Sequence, residues 1–236
     1  MLIAGRNGMV GGKHYTAKDY VQDGLVAMWD GIENAGWDVH DPNATVWTNL
    51  AGGPNLTQGS TRVSWSEDSC VFRENTYMNN WFPEGYNTVL TGNWTIETIY
   101  SITDVSSVNA SVFGLGTNRT LWVFANNGAD IQSDKLANAM ISGAGKANLG
   151  RRFCITATGD GRVYVNGEFV ISRGTSSLER RGNNFFSLGR LPNFRDNMIG
   201  EICNVKIYSR NFPSDEIAYT YAVDKARFNL DGGGGV

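Results

Sequence analysis

Short stretches in which apolar and polar residues alternate recur along the whole chain, and Gly, Asn or Pro residues bound them. A period of two is typical of β-strands that bury one face. In the segment 134–140 the pattern leaves a helical turn and an irregular strand equally open. The predicted strands cover residues 25–30, 45–50, 62–66, 69–73, 76–82, 94–102, 112–115, 121–125, 153–157, 162–165, 168–172, 185–189 and 198–208.

The strongest local signal is a predicted three-stranded meander over residues 153–172. Its first turn is Gly159-Asp160-Gly161 and its second is Asn166-Gly167. Both residues of an Asn-Gly pair accept a positive φ, as a tight hairpin turn requires. Further on, alternation over 198–208 predicts that Cys203, Val205 and Ile207 point inward together.

After residue 213 the period changes to that of a helix, predicted over 214–228. Ser214 is the expected N-cap, and Asp215 and Glu216 suit the positive end of the helix dipole. One face of this helix is predicted to pack on the strands. Its expected members are Ile217, Tyr221, Asp224 and Phe228, with Ala218 and Ala222 beside them.

The composition changes nowhere abruptly, so the 236 residues predict one domain over 23–230 with a short segment at each end. Residues 231–236 form a Gly-rich tail that we expect to be flexible. Residues 1–22 predict an extended arm, and two interpretations of it stay open. It is either a disordered tail or an assembly arm that docks on a neighbouring subunit.

Taken together, the strands, turns and single helix predict an all-β, two-sheet antiparallel jelly-roll sandwich with one C-terminal helix. The net charge of −3 argues against a nucleic-acid partner, because binding to a phosphate backbone needs a positive field. No apolar run is long enough for a membrane span, and the N-terminus does not look like a secretory signal peptide. Three widely spaced cysteines predict small buried residues rather than disulfides or a zinc site.

Several segments resemble one known family. Residues 161–167 are similar to the G-x-L-Y-V-N-G hairpin of laminin G-like, concanavalin A-like lectin/glucanase jelly rolls. Residues 186–190 resemble the family's I-G strand, and residues 199–210 resemble F-x-G-x-I-D-x-V-x-I-Y-N-R. Residues 211–217 resemble the A-L-S-x-E-E-I segment that follows in the family, and residues 94–97 resemble its F-T-I-E strand.

The resemblance implies a concanavalin A-like fold, which usually works outside cells, of the kind found in bacteriophage and bacterial surface proteins. It also raises Ca²⁺ as a cofactor without assigning ligands. The family pattern has Asp where this chain has Asn204, and Ser where it has Pro213. Both departures weigh against a calcium site, and we expect no cofactor.

Catalysis is not expected. Glucanases of this fold carry a Glu-x-Asp-x-Glu strand whose alternate carboxylates share one face, and the chain lacks that triplet. Of the nearest acidic pairs, Glu67-Asp68 would point to opposite faces of a strand, and Asp215-Glu216 has a capping role. We expect His14 and His40 to be exposed and without a catalytic role.

Binding is the more plausible activity, since an aromatic ring beside polar groups is typical of sugar sites. We expect Trp29, Trp65 and Trp94 to lie in the core, and Trp37, Trp47 and Trp81 near loops. The alternative is that the loop residues anchor the loops on the sandwich. The candidate ligand-binding residues lie in three loops: Trp37, Asp38, His40 and Asp41; Trp81 and Tyr86; Asn193 and Arg195.

These features lead to a first functional hypothesis: a non-catalytic virion-associated structural or adhesion protein, such as a phage head decoration, fibre or tail-tip domain. It would bind glycan or neighbouring subunits, form a homo-oligomer, and act on a virion or extracellular surface. One alternative is a carbohydrate-binding lectin of a bacterial surface. Another is a divergent glycoside hydrolase or lyase.

Overall fold

A computed structural model describes residues 8–10, 13–81, 93–104, 110–115, 119–125, 130–133, 139–142, 149–172, 185–190 and 197–230. These residues form eighteen strands, a 3-10 turn at Ala17–Asp19 and one α-helix, α1, at Ser214–Phe228. In chain order, β1 to β18 are Gly8–Val10, Lys13–Tyr15, Leu25–Asp30, Val46–Trp47, Leu56–Gln58, Ser64–Trp65, Cys70–Phe72, Met78–Trp81, Thr95–Asp104, Ala110–Leu115, Arg119–Ala125, Asp130–Ser133, Ala139–Ser142, Phe153–Thr158, Arg162–Val165, Glu168–Ser172, Phe185–Leu188 and Ile199–Tyr208.

Two antiparallel sheets form the sandwich, which confirms the predicted fold class. One sheet has the order β13-β12-β11-β10-β17-β8-β5-β4. The other has the order β16-β15-β14-β9-β18-β7-β6, and β3 pairs with β18 beyond β7. The long strand β18 therefore lies in the middle of its sheet, with β9 along one edge and β7 and β3 in succession along the other.

The core between the sheets is aromatic. Trp29 stacks on Phe186 with ring centroids 5.2 Å apart, and Trp94 is fully buried, as predicted. Trp65 is half-buried and packs against the core. Trp47 was expected near a loop, but it is fully buried and meets Trp65 edge to face at 5.1 Å. Its indole N–H donates to the carbonyl of Asp30, so this buried polar atom has a hydrogen-bond partner.

Several strands differ from the predicted ones. Residues 56–58 form a strand that the pattern did not predict, and the strand predicted over 45–50 shrinks to Val46–Trp47. It stops early because the Asn49 side chain accepts hydrogen bonds from the backbone N–H groups of Met28 and Ala51, which turns the chain. Most of the ambiguous segment 134–140 lies outside the described residues.

The predicted inward row on β18 is partly wrong. The register of β18 against β9 shifts between Ile202 and Asn204, as at a β-bulge. The extra residue moves Cys203 to the opposite face, so Ile202, Val205 and Ile207 face the sandwich core. Cys203 instead packs in a second cluster with Phe228, the last residue of α1.

The outer face of the β18 sheet is covered by α1. Its N-cap residue is Pro213 rather than the predicted Ser214, and no side chain caps the helix. Ser214 is the first helical residue, and its hydroxyl lies 3.1 Å from that of Tyr164 on β15. Asn229 ends the helix in the left-handed conformation, and its N–H donates to the carbonyl of Lys225.

The buried face of α1 is more polar than predicted. Ile217, Asp224 and Phe228 are buried as expected, but Ala218 and Ala222 are exposed. The helix is turned so that polar side chains meet partners on the strands beneath them. Its other buried residues are Thr220, Val223, Ala226 and Arg227.

The segment before β3 folds back onto its own domain. Thr16 caps the 3-10 turn through its side chain, and Ala17 and Tyr20 are buried against Met28 and Val223. At least this part of residues 1–22 therefore packs on the helix side of the same chain. In the part of the chain that the structure describes, no helix is both long and apolar enough to cross a membrane. The tail 231–236 lies outside that part.

Candidate functional site

The loop between β3 and β4 is held by its own polar side chains. One carboxylate oxygen of Asp30 accepts hydrogen bonds from the N–H groups of Ile32 and Glu33, at 3.0 and 3.2 Å. The amide of Asn34 bonds both backbone groups of Asp41, donating at 2.9 Å and accepting at 2.8 Å. These bonds fix both ends of the loop, so the residues at its tip are presented on a rigid support.

Trp37 and Asp38 form the tip. Asp38 adopts a positive φ of 60°, and its N–H donates to the Glu33 carboxylate at 3.1 Å. The Trp37 side chain is 37% exposed. Lys18, from the 3-10 turn, places its ammonium 2.8 Å from the Asp38 carboxylate and 5.6 Å from the centre of the Trp37 ring.

These three side chains form a surface group, the Trp37 site, defined as Lys18, Trp37 and Asp38. It combines an aromatic ring with an acceptor and a donor that both remain in solvent. Sugars bind to such groups by stacking a face of C–H bonds on the ring while their hydroxyls meet the charged side chains. The sequence around Trp37 and Asp38 indicated a sugar-binding loop. Nothing in the sequence indicated Lys18, because only the fold brings this residue beside them.

The other candidate residues lie elsewhere. His40 was expected to be exposed, but it is 4% exposed and its Nδ1 lies 3.0 Å from the carbonyl oxygen of Gly31. Asp41 accepts the N–H of Asn43 and so stabilises the turn after the loop. Trp81 ends β8 in the other sheet. The remaining candidates, outside the described residues, are Tyr86, Asn193 and Arg195.

A buried group of charges, the Lys206 cluster, lies between the β18 sheet and α1. It consists of Glu97, Lys206 and Asp224, whose side chains are 0–1% exposed. The Lys206 ammonium is 2.5 Å from Glu97 Oε1 and 2.7 Å from Asp224 Oδ1. The hydroxyls of Thr156 and Thr220 donate to Glu97 Oε2 at 2.8 and 3.1 Å.

Tyr20 joins this cluster to a second one. Its hydroxyl donates to Asp224 Oδ1 at 2.6 Å and accepts from Arg227 at 3.1 Å. The Lys206 ammonium lies 3.7 Å from the centre of the Tyr20 ring, a close cation–π contact. Arg227 in turn binds Asp30 and Glu33, which defines the Arg227 cluster.

Burial sets the ionisation of these groups. It raises the pKa of Glu97 to about 7 despite the opposing attraction of Lys206. For Asp224 burial also acts upward, but Lys206 and the hydrogen bonds to the carboxylate outweigh it and lower the pKa. Burial lowers the pKa of Lys206, and the attraction of Asp224 and Glu97 more than reverses this, so the pKa is raised.

The two carboxylates of the Lys206 cluster and the neighbouring thiol of Cys154 form a donor set that does not fit calcium. Glu97, Cys154 and Asp224 each have a ligand-type atom within 4.8 Å of the others. Calcium needs six to eight oxygen ligands, whereas this set includes a thiol and its carboxylates already bind an ammonium. Cys154, like Cys70 and Cys203, is buried and free, as predicted, and burial raises the pKa of all three thiols.

The two antiparallel sheets and the single C-terminal helix form a jelly-roll sandwich. The chain belongs to the concanavalin A-like lectin/glucanases superfamily, because the family model of that description matches residues 75–218, more than half of its length. No curated protein sequence matches it significantly.

Solved structures share the fold at low sequence identity. The Trypanosoma rangeli sialidase in complex with sialic acid aligns with a TM-score of 0.65 at 14% identity, over 94% of this chain and 36% of that one. The binding domain of botulinum neurotoxin serotype D aligns with a TM-score of 0.62 at 14% identity, over 86% of this chain and 52% of that one. The chain thus spans about a third of the sialidase and about half of the neurotoxin binding domain.

Proposed function

We propose that this protein is a non-catalytic carbohydrate-binding domain whose ligand stacks on Trp37. The observation that carries the proposal is the Trp37 site: a large, partly exposed ring on a braced loop, with a carboxylate and an ammonium beside it. Membership of a lectin/glucanase superfamily and structural similarity to a sialidase solved with sialic acid support it. A lectin of a bacterial surface would use the same site.

The placement of acidic pairs supports a role without catalysis. Most glycosidases, including the glucanases of this fold, use two carboxyl groups that face one substrate. Three carboxylate pairs of the described residues are each bound by a single cation instead. Lys206 lies between Glu97 and Asp224, and Arg227 between Asp30 and Glu33. Arg152 lies between Asp68 and Glu201, at 2.6 and 2.8 Å.

Replacing Trp37 tests the proposed binding site. On a glycan array, the protein should bind at least one carbohydrate. Trp37→Ala should raise the Kd for that carbohydrate by roughly tenfold or more, because the stacking surface is lost. Lys18→Met should weaken binding to a smaller degree. Phe169→Ala is the matched control, since Phe169 is 57% exposed on the distant strand β16.

Two results would contradict this assignment. Binding that survives Trp37→Ala but is lost in Trp81→Ala would move the site to the second loop. Cleavage of a polysaccharide by the purified protein would overturn the non-catalytic role.

We further propose that the domain acts on a virion or another extracellular surface, where its glycan ligand would be displayed. The support is the family membership and the exposed Trp37 site. Antibodies raised against the folded domain should label intact particles or cell surfaces in immunogold electron microscopy, and excess soluble domain should block the labelling. Labelling that is confined to the interior of permeabilised cells would contradict this placement.

A further inference from the structure

We propose that Lys206 and Asp224 become joined by an intramolecular amide bond, with Glu97 carrying the protons. The three side chains meet in one water-excluded space between β18, β9 and α1. The ammonium nitrogen and the carboxyl oxygen are already in contact at 2.7 Å, so the entropy of bringing the reactants together has been lost in folding. This bond is independent of the carbohydrate-binding role.

Asp224 has the groups that an acyl acceptor needs. Its Oδ1 accepts hydrogen bonds from the Tyr20 hydroxyl at 2.6 Å and the Asn204 amide at 2.9 Å, in addition to the Lys206 ammonium. Donors aimed at one oxygen polarise the carboxyl group and stabilise the negative charge that the oxygen gains when its carbon is attacked. Glu97 lacks this arrangement at Oε1, the oxygen that faces Lys206, because its threonine donors bind Oε2.

Glu97 is placed to move the protons. Its Oε1 lies 2.5 Å from the Lys206 nitrogen, within reach of the proton that must leave before the amine can attack. Burial raises the pKa of Glu97 to about 7, which makes its carboxylate a better proton acceptor, and this acts against the attraction of Asp224 and Glu97 that raises the pKa of Lys206. The neighbouring thiol of Cys154 has a raised pKa, so it stays protonated and does not compete as a nucleophile.

The reaction balances without another reagent. The ammonium gives one proton to Glu97, and the nitrogen lone pair then forms a bond to Cγ of Asp224. The nitrogen loses a second proton. The Oδ2–Cγ bond breaks, its electron pair leaves with the oxygen, and both protons reach that oxygen through Glu97. The products are an amide and one water molecule, and Glu97 returns to its starting state.

Mass spectrometry of the purified wild-type protein tests this directly. The intact mass should be lower than the sequence mass by one water molecule. After trypsin digestion, residues 196–210 should be found joined to residues 211–225, because acylated Lys206 is not cleaved and carries Asp224 with it. An unmodified wild-type mass, or separate peptides, would overturn the proposal, as would a bond from Lys206 to the peptide that contains Glu97.

Variants then test the roles. Asp224→Ala should abolish the mass loss, and Glu97→Gln should abolish it or slow it severely while both joined residues remain present. Lys225→Arg, which changes an exposed lysine of α1, is the matched control and should keep the full mass loss. Circular dichroism of each variant checks that it is folded. Full modification in folded Glu97→Gln would remove Glu97 from the mechanism.

Discussion

Replacing Arg227 by Met should lower the free energy of unfolding by about 3–5 kcal/mol, because two carboxylates would be left in the interior without their cation. The guanidinium has no exposed surface and contacts Asp30 at 2.5 Å and Glu33 at 3.1 Å. Burial and the neighbouring Asp30 already raise the pKa of Glu33. Urea unfolding followed by tryptophan fluorescence measures the change.

A surface arginine provides the comparison. Arg210 makes a similar bond to Glu216 at 2.7 Å, but its side chain is 27% exposed. Arg210→Met should therefore cost about 1 kcal/mol or less. Adding Asp30→Asn to Arg227→Met should recover part of the lost free energy of unfolding, since one of the two unpaired buried charges is removed. Equal losses in the two single variants would show that burial does not govern these pairs.

Stability should decrease as the pH rises from about 4.5 to 7, because burial raises the pKa of Glu97 to about 7 in the folded protein. The folded protein then binds a proton that the unfolded chain has released, so a higher pH favours unfolding. A shift of this size corresponds to about 3 kcal/mol when it is complete. The loss should level off above neutral pH. Unfolding midpoints in urea measured at intervals across this range test it.

Glu97→Gln is the control for the pH effect. It removes the titrating group and keeps an oxygen that can accept from Thr156 and Thr220. Comparing the slopes of stability against pH, rather than absolute stabilities, separates the titration from any effect of the lost cross-link. The groups that face Glu97 are Lys206, Asp224, Cys154 and the two threonines. Before an amide bond forms, the folded-state pKa values of Lys206, Asp224 and Cys154 are shifted away from this window, and once it has formed Lys206 and Asp224 no longer titrate. The idea fails if the variant and the wild type show the same slope.

The sequence was sufficient for the sandwich but not for its buried charges. Alternation over β18 indicated an apolar row that faces the core, and by the same pattern Lys206 belongs to the opposite row. Such a pattern reports which residues touch the other sheet, and it is silent about what covers the outer face. Here α1 covers that face, so polar positions such as Glu97 and Lys206 become interior ones.

The candidate binding site shows a similar limit. Trp37 and Asp38 could be proposed from their neighbourhood in one loop, and the structure places them together. His40 is close to them in sequence, yet its ring turns inward to bond Gly31. Lys18 could not be predicted because it is twenty residues away from Asp38 and reaches it through the packing of the N-terminal segment.

The central position of β18 also has a consequence for synthesis on the ribosome. This strand is the last of the eighteen in chain order, yet it separates β9 from β3 and β7. Until residues 199–208 leave the exit tunnel, both flanking edges lack their partner and offer open hydrogen-bonding groups to other chains. The sheet can therefore close only late in translation. A nascent chain that stalls before β18 would be a substrate for chaperones or for aggregation.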